Sequence, residues 1–499
     1  MTELKQNRDD FLSPAKKTSF ANDVLTLVGG VTFAQILTIL VTPILTRLYG
    51  PDEFGVFTLF SSITLIFSTI VCLRYEFSIM LPKSDEEAAN MLALSFFTAC
   101  IVSFFSIPIL RFGKQPILSI LRTPDLAEYL WLVPLFALVS GMYLSLNYWN
   151  SRIKCFQRLS INRVLNSIAI SGTQLGAGLA GYATGGSLIG ASLVGQSIST
   201  LVLAGQIWKD NGSLFVRSIS WKKMIKGFKR YRKFPFIDSW STLLNVISWQ
   251  LPAFILAIFF SPVVVGFYSL GVQVLQLPMS FIGSSISQVF FQKATEAKTE
   301  GTLSPLVENV FRLLVTVGMF PILTLTLAGS DIFSTILGEN WAEAGVYAQI
   351  MSIWAFFWFV SSPLSTLYIV MEKQQFGLKY NLFNFSTRLL SLITGGFLGD
   401  PRTALILFSI SGTFVYGYLC LNMILYSKVK LPNVSKIIFS NLMLCAPAGL
   451  ILITLKVADA SELFITLMSI FLCIIYYLYI IKRDSQIQAV FNIGSITKN

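Results

Sequence analysis

The chain contains no histidine among its 499 residues. The side chain that most often serves as general base, proton shuttle or metal ligand near neutral pH is therefore missing, which argues against His-based triads and most zinc centres. Cysteine is sparse as well. Cys72, Cys100, Cys155, Cys420, Cys445 and Cys473 form no Cys-x-x-Cys pair and lie in or beside apolar runs, so neither a disulfide framework nor a thiolate metal site is expected. Charge is scarce at 12% of residues, against 54% hydrophobic, with a mean hydropathy of +0.68. A water-soluble core does not have this composition; an all-α polytopic membrane protein does. No cofactor, metal or covalent chemistry is expected of it.

The charge that is present is unbalanced. Lys and Arg number 37 against 25 Asp and Glu, a formal net charge of +12. In a soluble protein this excess would suggest a nucleic-acid partner, but here the basic residues cluster in short gaps between apolar runs. That placement orients helices in a bilayer and implies no nucleic acid.

A hydrocarbon core of about 30 Å needs roughly 20 apolar residues per helix. Fourteen such stretches occur, near 22–47, 53–80, 88–110, 127–150, 160–182, 187–208, 236–260, 262–291, 304–328, 343–370, 377–398, 402–426, 435–455 and 462–481. The first 19 residues are too polar for a signal-peptide apolar region and no small-residue cleavage pattern follows the first long helix, so no cleaved signal is expected; residues 1–21 read as a cytoplasmic N-terminal segment. Alternate loops carry about 27 basic residues on one side and about 6 on the other (Arg47, Arg111, Lys114, Arg122, Arg402 and Lys456), which predicts both termini in the cytoplasm. The densest basic segment, 209–235, sets Trp221, Ile225, Phe228 and Tyr231 at three- and four-residue steps among lysines and arginines, the pattern of an amphipathic interfacial helix. Trp131, Trp149, Trp208 and Trp240 lie near span ends, as in an interfacial belt.

The sequence also repeats itself. Leu48-Tyr-Gly-Pro-Asp-Glu-Phe-Gly-Val-Phe-Thr-Leu59 recurs 211 residues later as Phe259-Phe-Ser-Pro-Val-Val-Val-Gly-Phe-Tyr-Ser-Leu270, matching Pro51 to Pro262 and Gly55 to Gly266. A weaker echo joins 157–166 to 375–384. Each copy holds six spans, an even number, so the copies run parallel. The organisation expected is a first lobe at 22–208, the basic linker at 209–235, a second lobe at 236–426, two further helices within 435–481 and a tail at 482–499.

Four segments resemble one family: Arg47-Leu-Tyr-Gly-Pro-Asp-Glu-Phe-Gly55, the run from Leu73 to Asn90 beginning Leu-Arg-Tyr-Glu-Phe-Ser, Gln250-Leu-Pro, and Gln276-Leu-Pro-Met-Ser-Phe-Ile-Gly-Ser-Ser. They are similar to the polysaccharide transporters of the multidrug/oligosaccharidyl-lipid/polysaccharide superfamily, over residues 20 to 425. The position of Gln273, often basic in that family, is neutral here. The resemblance implies two six-helix lobes in a V and alternating access. It implies a substrate, an undecaprenyl-pyrophosphate-linked oligosaccharide (an O-antigen, capsule or exopolysaccharide repeat unit), moved across the bacterial inner membrane. It further implies membrane lipid, a polysaccharide polymerase and a chain-length regulator as partners.

Charges within spans are costly and usually face protein or a water-filled cavity. A pyrophosphate headgroup suits the planar fork of arginine, which makes Arg388, Arg74, Arg163 and Arg47 the substrate-binding candidates. Arg388 lies far from either end of its span, whereas Arg163 and Arg47 are close enough to an end to snorkel. Arg74, two residues from Glu76, points away from it on an ideal helix. Arg312 follows Glu308 by four residues and suits an ion pair. With no histidine, an ion-coupled step must use carboxylates, of which Asp238, Glu76 and Asp23 are the membrane or boundary candidates.

Gly176-Ala-Gly-Leu-Ala-Gly181 matches a dinucleotide-binding pattern, but no strand precedes it, and close helix packing explains the glycines better. A drug or cation extruder of the same superfamily would need intramembrane acids where this chain has mainly arginines. A lipid II flippase would differ in headgroup. An O-antigen polymerase or ligase, a membrane enzyme, would carry a large outer loop; the longest gaps here, 111–126 and 329–342, are short.

Overall fold

The computed structural model describes residues 14–483, with side chains from Gly29 onward except at 284, 285, 288 and 374, and the described residues contain helices and no strand. The chain divides into two compact units, Met1–Leu251 and Pro252–Asn499.

The first unit contains α1 (Pro14–Leu48), α2 (Pro51–Ile70), α3 (Asp85–Leu121), α4 (Leu132–Arg152), α5 (Phe156–Leu179), α6 (Gly185–Ser218), α7 (Trp221–Arg230) and the first part of α8 (Ser239–Phe259). The second contains the end of α8, then α9 (Pro262–Leu275), α10 (Ser284–Glu300), α11 (Leu303–Leu337), α12 (Ala342–Leu364), α13 (Gln374–Phe397), α14 (Pro401–Tyr426), α15 (Leu431–Val457) and α16 (Glu462–Arg483). Each of the fourteen expected spans overlaps helix, and 11 helices among the described residues are long and apolar enough to cross a membrane. The protein is a multi-pass membrane protein.

Three spans fall short of that measure: α5, α9 and α13. The fifth helix of each repeat is among them, and these two helices carry Arg163 and Arg388. Their polarity is what lowers their hydropathy.

The repeat reappears in the packing. In the first unit α3 packs on α4, α4 on α6, α5 on α6 and α2 on α4; in the second α11 packs on α12, α12 on α14, α13 on α14 and α9 on α12. The repeated Pro51 and Pro262 open α2 and α9, at a position where the missing N–H costs no helix hydrogen bond. Close approaches rest on glycine. A Cβ on Gly345 would lie 2.4 Å from the Gly329 carbonyl oxygen, and one on Gly395 would lie 2.2 Å from the Ala404 Cα. In the glycine-rich hairpin of α5 and α6, Gly178, Gly185, Gly186 and Gly195 meet neighbours, whereas Gly172, Gly176 and Gly190 face open space. Close packing thus explains only part of the glycine run.

Several local readings need correction. Span 53–80 is not one helix: α2 stops at Ile70, Leu73 and Arg74 adopt left-handed backbone (φ 50° and 62°), and a 3-10 turn runs Tyr75–Met80. Span 262–291 is likewise interrupted, by a π-helical turn at Met279–Gly283 between α9 and α10. The basic segment is not one amphipathic helix, because α6 continues to Ser218 and only α7 is separate. Nor is α7 merely laid on lipid. Its Met224 and Gly227 are buried, Phe228 accepts a hydrogen bond at its carbonyl from the Tyr75 hydroxyl (3.2 Å), and Trp221 meets Phe97 edge-on at 5.1 Å. Trp149 is buried and donates its indole N–H to Asn211 (3.3 Å), so it belongs to the core, while Trp131, Trp208 and Trp240 are exposed.

Candidate functional site

The first unit holds a pocket of about 350 Å³ between α2, α4, α6 and α8. Its polar lining has a helical origin. Ser61, Thr64 and Ser68 recur at three- and four-residue steps and so share one face of α2, with Thr69 at its margin. Ser140 and Tyr143 from α4, Gln196 from α6 and Thr242 from α8 complete it, beside Phe60 and Phe136 in edge-to-face contact at 6.1 Å. The hydroxyls of Thr64 and Ser68 are buried without a hydrogen-bond partner among the described residues. Such groups are costly unless something polar reaches them.

Arg74 lines the same pocket, and the break after α2 is what brings it there. With a left-handed backbone, its side chain no longer follows the helix stripe. The guanidinium Nε donates to Asp238 Oδ2 at 2.8 Å, Nη1 lies 3.5 Å from Glu76 Oε1, and the group sits 4.2 Å from the centre of the Phe77 ring. Expecting Arg74 to point away from Glu76 was wrong because it assumed a continuous helix. Glu76 is almost fully enclosed, with its side chain 1% exposed against 44% for Asp238, and its second oxygen lacks a partner among the described residues. One guanidinium therefore serves two carboxylates. Asp238 ends the π-helical turn Phe234–Asp238 at the start of α8, so the contact ties that helix to the break after α2.

The second unit houses Arg388 on α13. It is 3% exposed, with Nη2 3.5 Å from the Tyr416 hydroxyl and its guanidinium carbon 5.7 Å from the centre of the Phe408 ring. Tyr380 stands beside Tyr416, their rings 6.2 Å apart. Arg388 is thus enclosed by aromatic side chains.

The other candidates are dispersed. Arg163 is half-buried on α5, and it makes no ion pair or hydrogen bond among the described residues. Arg47 is exposed at the end of α1 and donates to the Pro43 carbonyl at 3.1 Å. The side chain of Asp23 lies outside the described residues. Glu308 accepts two hydrogen bonds from the Asn433 amide, at 2.9 and 3.1 Å, a partner on α15 that local spacing did not suggest.

Two features escaped the sequence. The contact of Arg74 with Asp238 spans 164 residues and leaves no local mark. The hydroxyl stripe of α2, equally missed, does leave one, as Ser and Thr at helical spacing within an apolar run.

A profile of the family described as "Polysaccharide biosynthesis protein" matches residues 44–346. No curated protein matches the chain. Among solved structures it resembles the lipid II flippase MurJ in an inward closed conformation, at 13% identity and a TM-score of 0.69, over 91% of this chain and 99% of that one. It also resembles an inward-facing multidrug resistance MATE family transporter of the MOP superfamily, at 12% identity and a TM-score of 0.55, over 82% of this chain and 94% of that one. The chain belongs to the polysaccharide biosynthesis protein family, and it shares its fold with these flippase and transporter structures.

Proposed function

We propose that this transporter is a flippase that carries an undecaprenyl-pyrophosphate-linked oligosaccharide across the bacterial inner membrane by alternating access, with both termini in the cytoplasm. The observation that carries the reading is the pocket of the first unit, where hydroxyl and amide side chains stand beside a guanidinium. Sugar hydroxyls need partners that both donate and accept, which Ser, Thr, Tyr and Gln supply. A diphosphate needs charge-assisted donors, which Arg74 supplies once its carboxylates are exchanged for phosphate oxygens. Asp238 and Glu76 are then the coupling acids, holding the guanidinium whenever substrate is absent. Arg163 and Arg388 are further substrate contacts in this reading, Arg47 a peripheral one. Family membership supports the saccharide, and the bias of basic loops supports the orientation.

The test is deletion of the gene, followed by extraction and mass analysis of lipid-linked saccharides. Accumulation of a lipid-diphosphate oligosaccharide facing the cytoplasm, with loss of surface polysaccharide, is expected. Intact surface polysaccharide with new sensitivity to cationic drugs would identify an extruder instead. Loss of peptidoglycan precursor export would identify lipid II as the cargo.

A further inference from the structure

A second groove on the first unit shares no lining residue with the polar pocket. It runs between α3 and α4 with a volume of about 740 Å³. Its walls are apolar, with Phe104 and Ile107 of α3 facing Leu135 and Leu138 of α4, and Phe104 and Ile107 are exposed. At one end stand Arg111 and Lys114, three residues apart and so on one face of α3, with the exposed ring of Trp131 beside them.

These two cations are unusual for their place. α3 begins on the side with basic loops and ends on the side where basic residues are rare. Of the few basic residues there, Arg402 pairs with Glu343 (2.6 Å) and Lys456 with Asp331 (3.0 Å). Arg111 and Lys114 have no ion pair or hydrogen bond among the described residues. The nearest acids in sequence, Asp125 and Glu128 of the turn Pro124–Glu128, do not pair with them. The height also fits a headgroup. At 1.5 Å per residue, α3 is roughly 55 Å long, well beyond a hydrocarbon core of about 30 Å, so its last turns reach the level of lipid phosphates. Tryptophan favours that same level.

We propose that this groove is a binding site for an anionic phospholipid. The phosphodiester sits between the Arg111 guanidinium and the Lys114 ammonium, one acyl chain lies along Phe104, Ile107, Leu135 and Leu138, and Trp131 packs at the glycerol level. The site is separate from the transport pocket and does not depend on the cargo assigned above.

The test uses the full-length protein, delipidated in detergent and titrated with phosphatidylglycerol or phosphatidylcholine, with bound lipid counted by native mass spectrometry. Phosphatidylglycerol should bind more tightly than phosphatidylcholine. In Arg111→Gln/Lys114→Gln its affinity should fall about twenty-five-fold, from roughly fivefold per cation at an anionic lipid surface, while phosphatidylcholine binding stays unchanged. Leu135→Trp, which fills the trough, should weaken both lipids, and Lys456→Gln, which removes a paired cation, should weaken neither. Equal affinity for the two lipids, or unchanged phosphatidylglycerol binding in the double variant, overturns the proposal. Displacement of phosphatidylglycerol by an equal or lower concentration of undecaprenyl phosphate also overturns it, because the groove then belongs to the transported lipid.

Discussion

Replacing Arg74 by alanine separates its structural role from the transport role proposed for it. The substitution leaves Glu76 enclosed, with its side chain 1% exposed, and without its counter-charge. Orphaning one member of a buried ion pair costs about 3–5 kcal/mol. Asp238, 44% exposed, is hydrated in either case and adds little. Arg74→Ala should therefore destabilise the protein by about 3 kcal/mol, nearly all of it through Glu76. Arg74→Gly should be roughly 1 kcal/mol less harmful, since glycine accepts the left-handed backbone that any other side chain resists. Arg74→Ala/Glu76→Gln removes the orphaned charge and should recover most of the stability, as read by thermal melting of the solubilised protein. Surface polysaccharide, compared at matched abundance in the membrane, should not recover with it. Losing one charge-assisted contact to phosphate costs about 1.5–3 kcal/mol, tenfold to over a hundredfold in affinity. Arg74→Lys should fall between, keeping charge but losing the fork. Wild-type polysaccharide in the Arg74→Ala/Glu76→Gln double variant would refute the assignment and leave Arg74 a clamp on α8.

The orientation predicts that, in a cysteine-free background, a cysteine at exposed Ile120 reacts with an impermeant reagent from outside while one at exposed Lys226 does not; the reverse labelling would invert the topology. At the enclosed Arg388, alanine should abolish polysaccharide export at normal abundance if the guanidinium meets substrate, and normal export in both Arg388→Ala and Arg388→Lys would remove it from the path. Gly345→Ala should cost about 1–3 kcal/mol of thermal stability, because its Cβ would press on the Gly329 carbonyl, whereas Gly176→Ala, facing open space, should cost nothing measurable.

The helices were legible because apolar length is a long-range, redundant signal: one misplaced polar residue does not hide a run of twenty. The duplication was legible through Pro51 and Pro262, since a proline at a helix start is a local requirement that both copies share. The breaks after α2 and α9 were not. The left-handed turn at Leu73 and Arg74 is stabilised by contacts from distant segments, Asp238 in the turn before α8 holding Arg74 and Phe228 on α7 holding the adjoining Tyr75, and nothing in Leu-Arg itself favours it. Once the helix was assumed continuous, the partner of Arg74 was necessarily misjudged. Trp149 failed for a related reason: proximity to a span end suggested the interface, while its burial against Phe215, ring centres 5.0 Å apart, depends on α6 continuing past the expected boundary. Individual arginines could be picked out, but their surroundings could not.

The pairing of one guanidinium with two carboxylates bears on how such a site could turn over. A fixed positive cavity would hold a diphosphate in either orientation of the transporter and gain nothing from switching, since equal affinity for two states shifts neither. A guanidinium already held by Asp238 and Glu76 behaves differently. Diphosphate must displace the carboxylates, and with both acids ionised the displaced charges repel it. Binding therefore favours whatever neutralises or withdraws those acids, and by reciprocity their neutralisation favours binding. Asp238 is suited to withdrawal because it sits at the irregular start of α8, where a π-helical turn already departs from α geometry. Glu76, enclosed and locked into the 3-10 turn, has no such freedom. On the proposed reading the two acids are thus unequal: Asp238 is the arm that lets go of Arg74, and Glu76 is the fixed charge that draws the arginine back when the cargo leaves.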